Sequence, residues 1–197
     1  MIERAHHILV ILGSTRQDRF SARAGAWVVE RLSARGDISV ELVDLRDHPL
    51  PFFDGVSPAR TLRDYPTPEV RRLGETLDRA DGFVIVTPEY NHGYPAVLKN
   101  AFDHTFPEWH RKPITFVSWG NVGGARCVEQ LRLVAVEMEL APLRNAVHIL
   151  PDVLIPALRA PEPFDSTLLA ALEPRLTMLA DELLWWASAL AAARNAG

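Results

Sequence analysis

The chain has 197 residues, 48% hydrophobic and 23% charged, an ordinary globular balance and enough for one α/β domain with a full core over residues 1–197. A formal net charge of −4, from 21 basic and 25 acidic residues, argues against a nucleic-acid partner or a membrane-surface role. Cys127 is the only cysteine, which excludes an intrachain disulfide and fits a reducing, cytoplasmic compartment. The segment MIERAHHILVILGSTR does not read as a signal peptide, because its apolar run, Ile8 to Leu12, is too short and leads into a Gly-Ser turn. The stretch from Leu168 to Ala193 is apolar-rich, but Glu173, Pro174, Arg175, Asp181 and Glu182 interrupt it. It reads as an amphipathic core helix, not a membrane span.

In chain order, His7 to Leu12 (HILVIL) is nearly all apolar, as expected of a strand buried on both faces of a parallel sheet. A polar stretch, Gly13 to Ser21, leads into a helix over roughly Ala22 to Ala34, with Ala22, Ala26, Val29 and Leu32 as inner positions and Gly36 as its stop. Ser39 to Leu45 alternates like a strand, and the Pro- and Asp-rich Arg46 to Thr67 is expected to be a long surface loop. Thr67-Pro68 has the form of an N-cap followed by Pro at the first helical position, opening a helix to about Ala80. Gly82 to Thr87 is a third strand, Pro95 to about Thr105 a helix, and Ile114 to Trp119 a fourth strand. A helix from about Ala125 to Glu139, a fifth strand near Asn145 to Leu150 and a Pro-rich link, Pro151 to Pro163, precede the last helix. Strands alternating with helices predict a doubly wound parallel sheet, since parallel neighbours need crossover helices.

In open α/β sheets ligands sit beyond the carboxyl ends of the strands. Three unusual loops lie at such ends. After the first strand, Gly13-Ser14-Thr15-Arg16 precedes a helix whose free N–H groups and dipole favour an anion. Ser14, Thr15 and Ser21 add hydroxyls, and Arg16 and Arg19 add guanidinium groups suited to phosphate oxygens. The alternative is a polar turn with capping serines. The spacing matches neither a dinucleotide fingerprint nor a nucleoside-triphosphate loop.

After the third strand, Pro88 and Pro95 bracket a segment that cannot continue as strand. Asn91 and Gly93 suit positive φ, which would turn N–H groups toward a ligand, and Tyr90 offers an aromatic wall. A flat heterocycle such as a flavin ring needs such partners. Glu89 and His92 could serve as general base and proton shuttle, or could merely cap and orient the loop. The third loop holds Gly120, Gly123 and Gly124, and Trp119 beside it either walls a ring or fills the core. Cys127 begins a helix but has the apolar setting of a buried thiol. His6, His7, His104, His110 and His148 lack metal-ligand spacing, so no metal is predicted.

Taken together, GSTRQDRFS, LPFFD at 50–54, TPEYNHGYPAVLKNAFDH at 87–104 and SWGNVGG at 118–124 resemble the NADPH-dependent FMN reductase family, with its quinone, azo-dye and chromate reductases. The resemblance spans about residues 7 to 150. It implies a flavodoxin-like five-stranded parallel sheet of order 2-1-3-4-5 with helices on both faces, and a non-covalent FMN reduced by NADPH or NADH. By this resemblance Ser14, Arg16 and Ser21 hold the FMN phosphate. Pro88, Glu89, Tyr90 and Asn91 meet the isoalloxazine ring, and Ser118 and Gly120 border its other edge. Arg19, where many relatives carry a small polar residue, either adds a phosphate contact or points to solvent.

The expected activity is a ping-pong transfer of electrons from NAD(P)H through FMN to a small acceptor such as a quinone, a free flavin or an azo compound. No catalytic side chain is assigned, because the cofactor carries the chemistry. A homodimer or tetramer is expected, built on the helix near Pro95, whose apolar residues spread over a wide arc. The rival readings are a flavodoxin-like electron carrier and a non-catalytic flavin-binding module.

Overall fold

The computed structural model describes residues 5–55, 65 and 67–196. The middle of the expected surface loop, 56–64 and 66, lies outside them. The described elements are β1 (His6–Leu12), α1 (Phe20–Ser33), β2 (Ile38–Asp44), a 3-10 turn (Leu45–Asp47), α2 (Pro68–Asp78) and β3 (Gly82–Pro88). They continue with α3 (Ala96–His104), β4 (Pro113–Trp119), α4 (Ala125–Glu137), β5 (Ala141–Pro142), β6 (Val147–Ile149), α5 (Pro151–Arg159), a 3-10 stretch (Ser166–Leu172) and α6 (Glu173–Ala196).

All sheet pairings are parallel, in the order β2-β1-β3-β4-β5, and β6 also pairs with β4. The fifth position is therefore shared by two short strands, Ala141–Pro142 beside Pro113 and Ile114, and Val147–Ile149 beside Val117 to Trp119. The pleat sends alternate residues to opposite cores. Ile8, Val10 and Leu12 of β1, with Val84, Val86 and Val117, pack under α1, α5 and α6. Leu9 and Ile11, with Phe83, Ile85, Ile114 and Phe116, pack under α2, α3 and α4. Burial on both faces explains why β1, β3 and β4 are continuous apolar runs, whereas the edge strand β2 is only half-buried and alternates.

Two local readings change. Helix α1 begins earlier, at Phe20, and its inner residues are Phe20, Ser21, Ala24, Gly25, Trp27, Val28 and Leu32, while Ala22 and Ala26 face solvent. The large side chains set the helix rotation, because an alanine gains little from burial. The link after the last strand is largely helical: Pro151 occupies the first turn of α5, where its missing N–H has no partner to lose, and Pro156 sits on the exposed face. At α2 the cap is as expected, with Thr67 Oγ1 accepting from the Val70 N–H at 3.4 Å.

Candidate functional site

The carboxyl ends of β1, β3 and β4 bring the three loops together. Gly13 N donates to Val86 O of β3 at 2.9 Å, and Glu89 N donates to Trp119 O of β4 at 2.8 Å. The first two loops meet directly, with Ser14 Oγ 2.8 Å from the Tyr90 hydroxyl. The Arg16 guanidinium lies 5.2 Å over the Tyr90 ring, a cation–π contact at the mouth of the site. Ser14, Arg16, Pro88, Glu89, Tyr90, Asn91, Ser118 and Gly120 thus share one rim.

The first loop leads into α1, which has no side-chain cap and no acidic residue in its first turn, leaving its N-terminal N–H groups for an anion. Ser21 is fully buried and its hydroxyl has no partner among the described residues. Arg19 does not point to solvent: its side chain is only 7% exposed and forms an ion pair with Asp44 at the end of β2. Its Nε and Nη1 are buried without an acceptor among the described residues. Buried unmatched donors are costly, so three of them at one helix start form a site whose chemistry fits a phosphate group.

In the second loop, Tyr90 and Gly93 exchange backbone hydrogen bonds of 2.8 and 2.9 Å around Asn91 (φ 49°) and His92 (φ 69°). Positive φ at both central residues is a type I′ turn. The left-handed pair is therefore Asn91-His92, not Asn91 and Gly93. His92 is exposed, and its carbonyl accepts from Gln130 Nε2 at 3.0 Å.

Glu89 is the best-anchored member of the rim. Its carboxylate accepts from Arg126 Nε at 2.6 Å and from the Arg126 backbone N–H at 3.2 Å, at the start of α4. Burial alone would raise its pKa, but the hydrogen bonds and charge of Arg126, with the N–H groups of Arg126 and Cys127, hold it below the ordinary glutamate value. An ionised carboxylate fixed this way caps a helix and orients the loop. These contacts favour the capping and orienting role over that of a general base.

The third loop is shaped by its glycines. Gly124 has φ 76°, and a Cβ there would lie 2.7 Å from Ser118 Cβ and 2.9 Å from Trp119 N. Buried Ser118 donates to Gly123 O at 2.7 Å, and His148 Nδ1 approaches the same carbonyl at 3.0 Å. Ser118 therefore closes the loop with its side chain. Trp119 is 7% exposed and packs edge-on to Phe20 at 5.2 Å, so it fills the core under α1 and does not wall a ring. Cys127 is buried, donates to Gly124 O at 3.1 Å, and burial, reinforced by the charge of Glu89, pushes its thiol up to about 12.

The LPFFD segment is tied to α3. Asn100 donates to Pro51 O at 2.8 Å and accepts from Phe53 N at 2.9 Å, while His104 Nε2 lies 2.8 Å from Pro51 O and its ring meets Phe53 edge-on. This accounts for the wide apolar arc of α3: one side meets the sheet and another meets this loop, and the exposed side carries the Lys99–Asp103 ion pair. Phe52, 83% exposed, remains free of the core. A pocket of about 260 Å³ opens beside the first loop, lined by Thr15, Leu45, Arg46, His48, Val97 and Asn100 among others. Among the described residues no group of three or more His, Cys, Asp or Glu could hold a metal ion.

Sequence reasoning passed over Asp44, Arg46 and Arg126, which brace the loops from neighbouring elements, and weighed His148 only as a metal ligand. The signal of the first three was charge at a strand end or at a helix start, which is common on any surface.

The NADPH-dependent FMN reductase family model matches residues 6–152. The chain is 40% identical over 151 residues to an NAD(P)H-dependent FMN reductase of Schizosaccharomyces pombe, covering 75% of this chain and 76% of that one. It is 34% identical over 149 residues to a 2-hydroxy-1,4-benzoquinone reductase of a Burkholderia species, covering 75% and 73%. Among solved structures, the NAD(P)H:acceptor oxidoreductase FerB of Paracoccus denitrificans superposes with a TM-score of 0.69 over 93% of this chain and 98% of that one, at 19% identity, a likeness of fold. With the parallel 2-1-3-4-5 sheet, the rim at its carboxyl edge and these matches, the chain belongs to the NADPH-dependent FMN reductase family.

Proposed function

We propose that the chain is a single-domain, two-electron NAD(P)H oxidoreductase that holds FMN non-covalently and serves a range of small planar acceptors by a ping-pong cycle. The observation that carries this reading is the trio of buried, unpartnered donors, Arg19 Nε, Arg19 Nη1 and Ser21 Oγ, beside the uncapped start of α1. A phosphate monoester offers the acceptor oxygens and negative charge that such donors lack. FMN, when bound, supplies the hydride-accepting and electron-donating chemistry.

The residues of the rim bind and orient. Ser14, Arg16, Arg19 and Ser21 would hold the phosphate. Pro88, Glu89, Tyr90 and Asn91 would line one edge of the ring and Ser118 with Gly120 the other, mainly through their backbone. Glu89 is held ionised by Arg126 and Cys127 is held protonated by burial, so neither is assigned a proton-transfer role. The relatives named for FMN and for a hydroxybenzoquinone support quinones and free flavins as the acceptor class, with azo dyes as a further planar, electron-poor candidate. A rim of few directional side-chain contacts discriminates weakly among such molecules.

A homodimer, or a pair of dimers, belongs to the same proposal. Its support lies in α4, where Leu133 is 75% and Val136 64% exposed, and in the free Phe52 ring. Cytoplasmic placement is likewise proposed, supported by the single cysteine. Among the described residues no helix is long and apolar enough to cross a membrane.

Heat release and chromatography should return FMN, and recovery of FAD or of no flavin after reconstitution would sink the reading. Steady-state kinetics with NADPH against a quinone, FMN and an azo dye should give parallel lines with at least two of them. Intersecting lines, or activity with one acceptor alone, would count against a shared site. Negligible NADPH oxidation would favour an electron carrier instead.

A further inference from the structure

Asp44 is the last residue of β2 and the register partner of Leu12, the last residue of β1, so it stands beside the start of the first loop. One carboxylate oxygen accepts from Arg19 Nη2 and the other from the Arg46 backbone N–H at 2.9 Å. The Arg46 side chain returns to the loop, donating to Thr15 O at 3.2 Å and to Arg16 O at 3.1 Å. In a planar trans peptide the next N–H points opposite to the carbonyl. Drawing these two carbonyls toward β2 therefore turns the N–H groups of Arg16 and Gln17 to the other side, and the Arg16 N–H does face Ser14 Oγ, at 3.5 Å.

From these contacts we infer that Asp44 and Arg46 are positioning residues for the flavin phosphate, a brace reaching from the end of β2 and the 3-10 turn after it that no member of the three loops supplies. Asp44 fixes one corner of the Arg19 guanidinium, which leaves Nε and Nη1 buried and free to donate. Arg46 fixes the loop backbone so that successive N–H groups converge on the same side as Ser14. Both act before the ligand arrives, so the ordering of the loop is already complete when phosphate binds. The inference rests on the FMN reading above and adds to it a discrimination: the brace serves the phosphate and not the ring, so it favours FMN over riboflavin.

The test is titration of the flavin-free protein with FMN and with riboflavin, followed by flavin fluorescence. Asp44→Ala and Arg46→Met should weaken FMN binding about tenfold or more and change riboflavin binding by less than about twofold. Asp44→Asn should restore part of the FMN affinity, because its amide oxygen still accepts a hydrogen bond. If Asp44→Ala fails to fold, as judged by its thermal transition, the Asn and Arg46 variants decide the matter. Equal losses for FMN and riboflavin would mark a merely structural role and overturn the brace, as would unchanged FMN affinity. A wild-type protein that bound neither flavin would overturn the functional reading and the brace together, whereas unaltered variants of an FMN-binding wild type overturn the brace alone.

Discussion

Ser14 Oγ and the Tyr90 hydroxyl, 2.8 Å apart, join the loop after β1 to the loop after β3. The contact spans 76 residues of sequence and couples the expected phosphate end of the site to its ring end. Tyr90→Phe keeps the ring, and with it the Arg16 stacking, but leaves Ser14 without this partner. FMN affinity should fall by about 0.5–1.5 kcal/mol, roughly two- to tenfold. Titration of the flavin-free variant checks this, and an unchanged dissociation constant would mean that the two loops are positioned independently.

Arg16 is exposed and its guanidinium rests over the Tyr90 ring. It is therefore available to a phosphate at little cost in broken contacts. Arg16→Ala should weaken FMN binding by about 1.5–3 kcal/mol, while kcat at saturating FMN changes far less. Equal FMN affinity in variant and wild type would reduce Arg16 to a surface residue.

The Glu89 carboxyl has a pKa below its ordinary value because Arg126 and the α4 N–H groups outweigh its burial. With the folded value below the unfolded one, the folded state binds fewer protons. The stabilisation is thus fully present above about pH 4.3 and is lost as pH falls through the folded value. Chemical unfolding of the flavin-free protein between pH 3 and 6 should show stability falling with acid in the wild type and a flatter profile in Glu89→Gln. At pH 7 the variant should be less stable by about 1.5–3 kcal/mol. Parallel pH profiles would show that the ion pair contributes nothing.

Cys127 is buried and its thiol is pushed up to about 12 by burial, with the Glu89 charge adding to it. Thiolate is the reactive form, so the native protein should resist a thiol reagent at pH 8 and react fully once denatured. Cys127→Ala should retain NADPH oxidation. Rapid native labelling with parallel loss of activity would contradict the burial seen here.

Leu133 and Val136 face solvent on α4. If they meet a second copy, Leu133→Glu with Val136→Glu places charge in that contact and should shift the scattering mass toward a monomer without lowering the thermal transition of the chain. An unchanged oligomer would move the interface elsewhere.

Much of the fold was legible in the sequence because strand burial is written locally. A strand covered on both faces is apolar at most positions, so HILVIL, GFVIVT and ITFVSW announce a parallel sheet without any knowledge of their neighbours. The Thr67-Pro68 cap is equally local. What failed were the cases in which local preference was weak or shared. Alanine marks neither the inner nor the outer face of α1, and proline marks a helix start as well as a break, which hid α5. Glycine permits positive φ without requiring it, so the turn placed its left-handed residues at Asn91 and His92 and left Gly93 outside.

The sequence by itself marked the three loops proposed to carry the site, because strand ends, turn residues and hydroxyl-rich or glycine-rich segments fall within a few positions of one another. Only the tertiary structure decided what each charged or aromatic side chain does there. Arg19 meets Asp44 of β2, Glu89 meets Arg126 of α4, and Trp119 turns under α1 to Phe20. Such partners are fixed by distances across the sheet edge, because packing contacts and hydrogen bonds need atoms within a few ångströms of each other. Residues far apart in the chain become partners only once the strands have set the register.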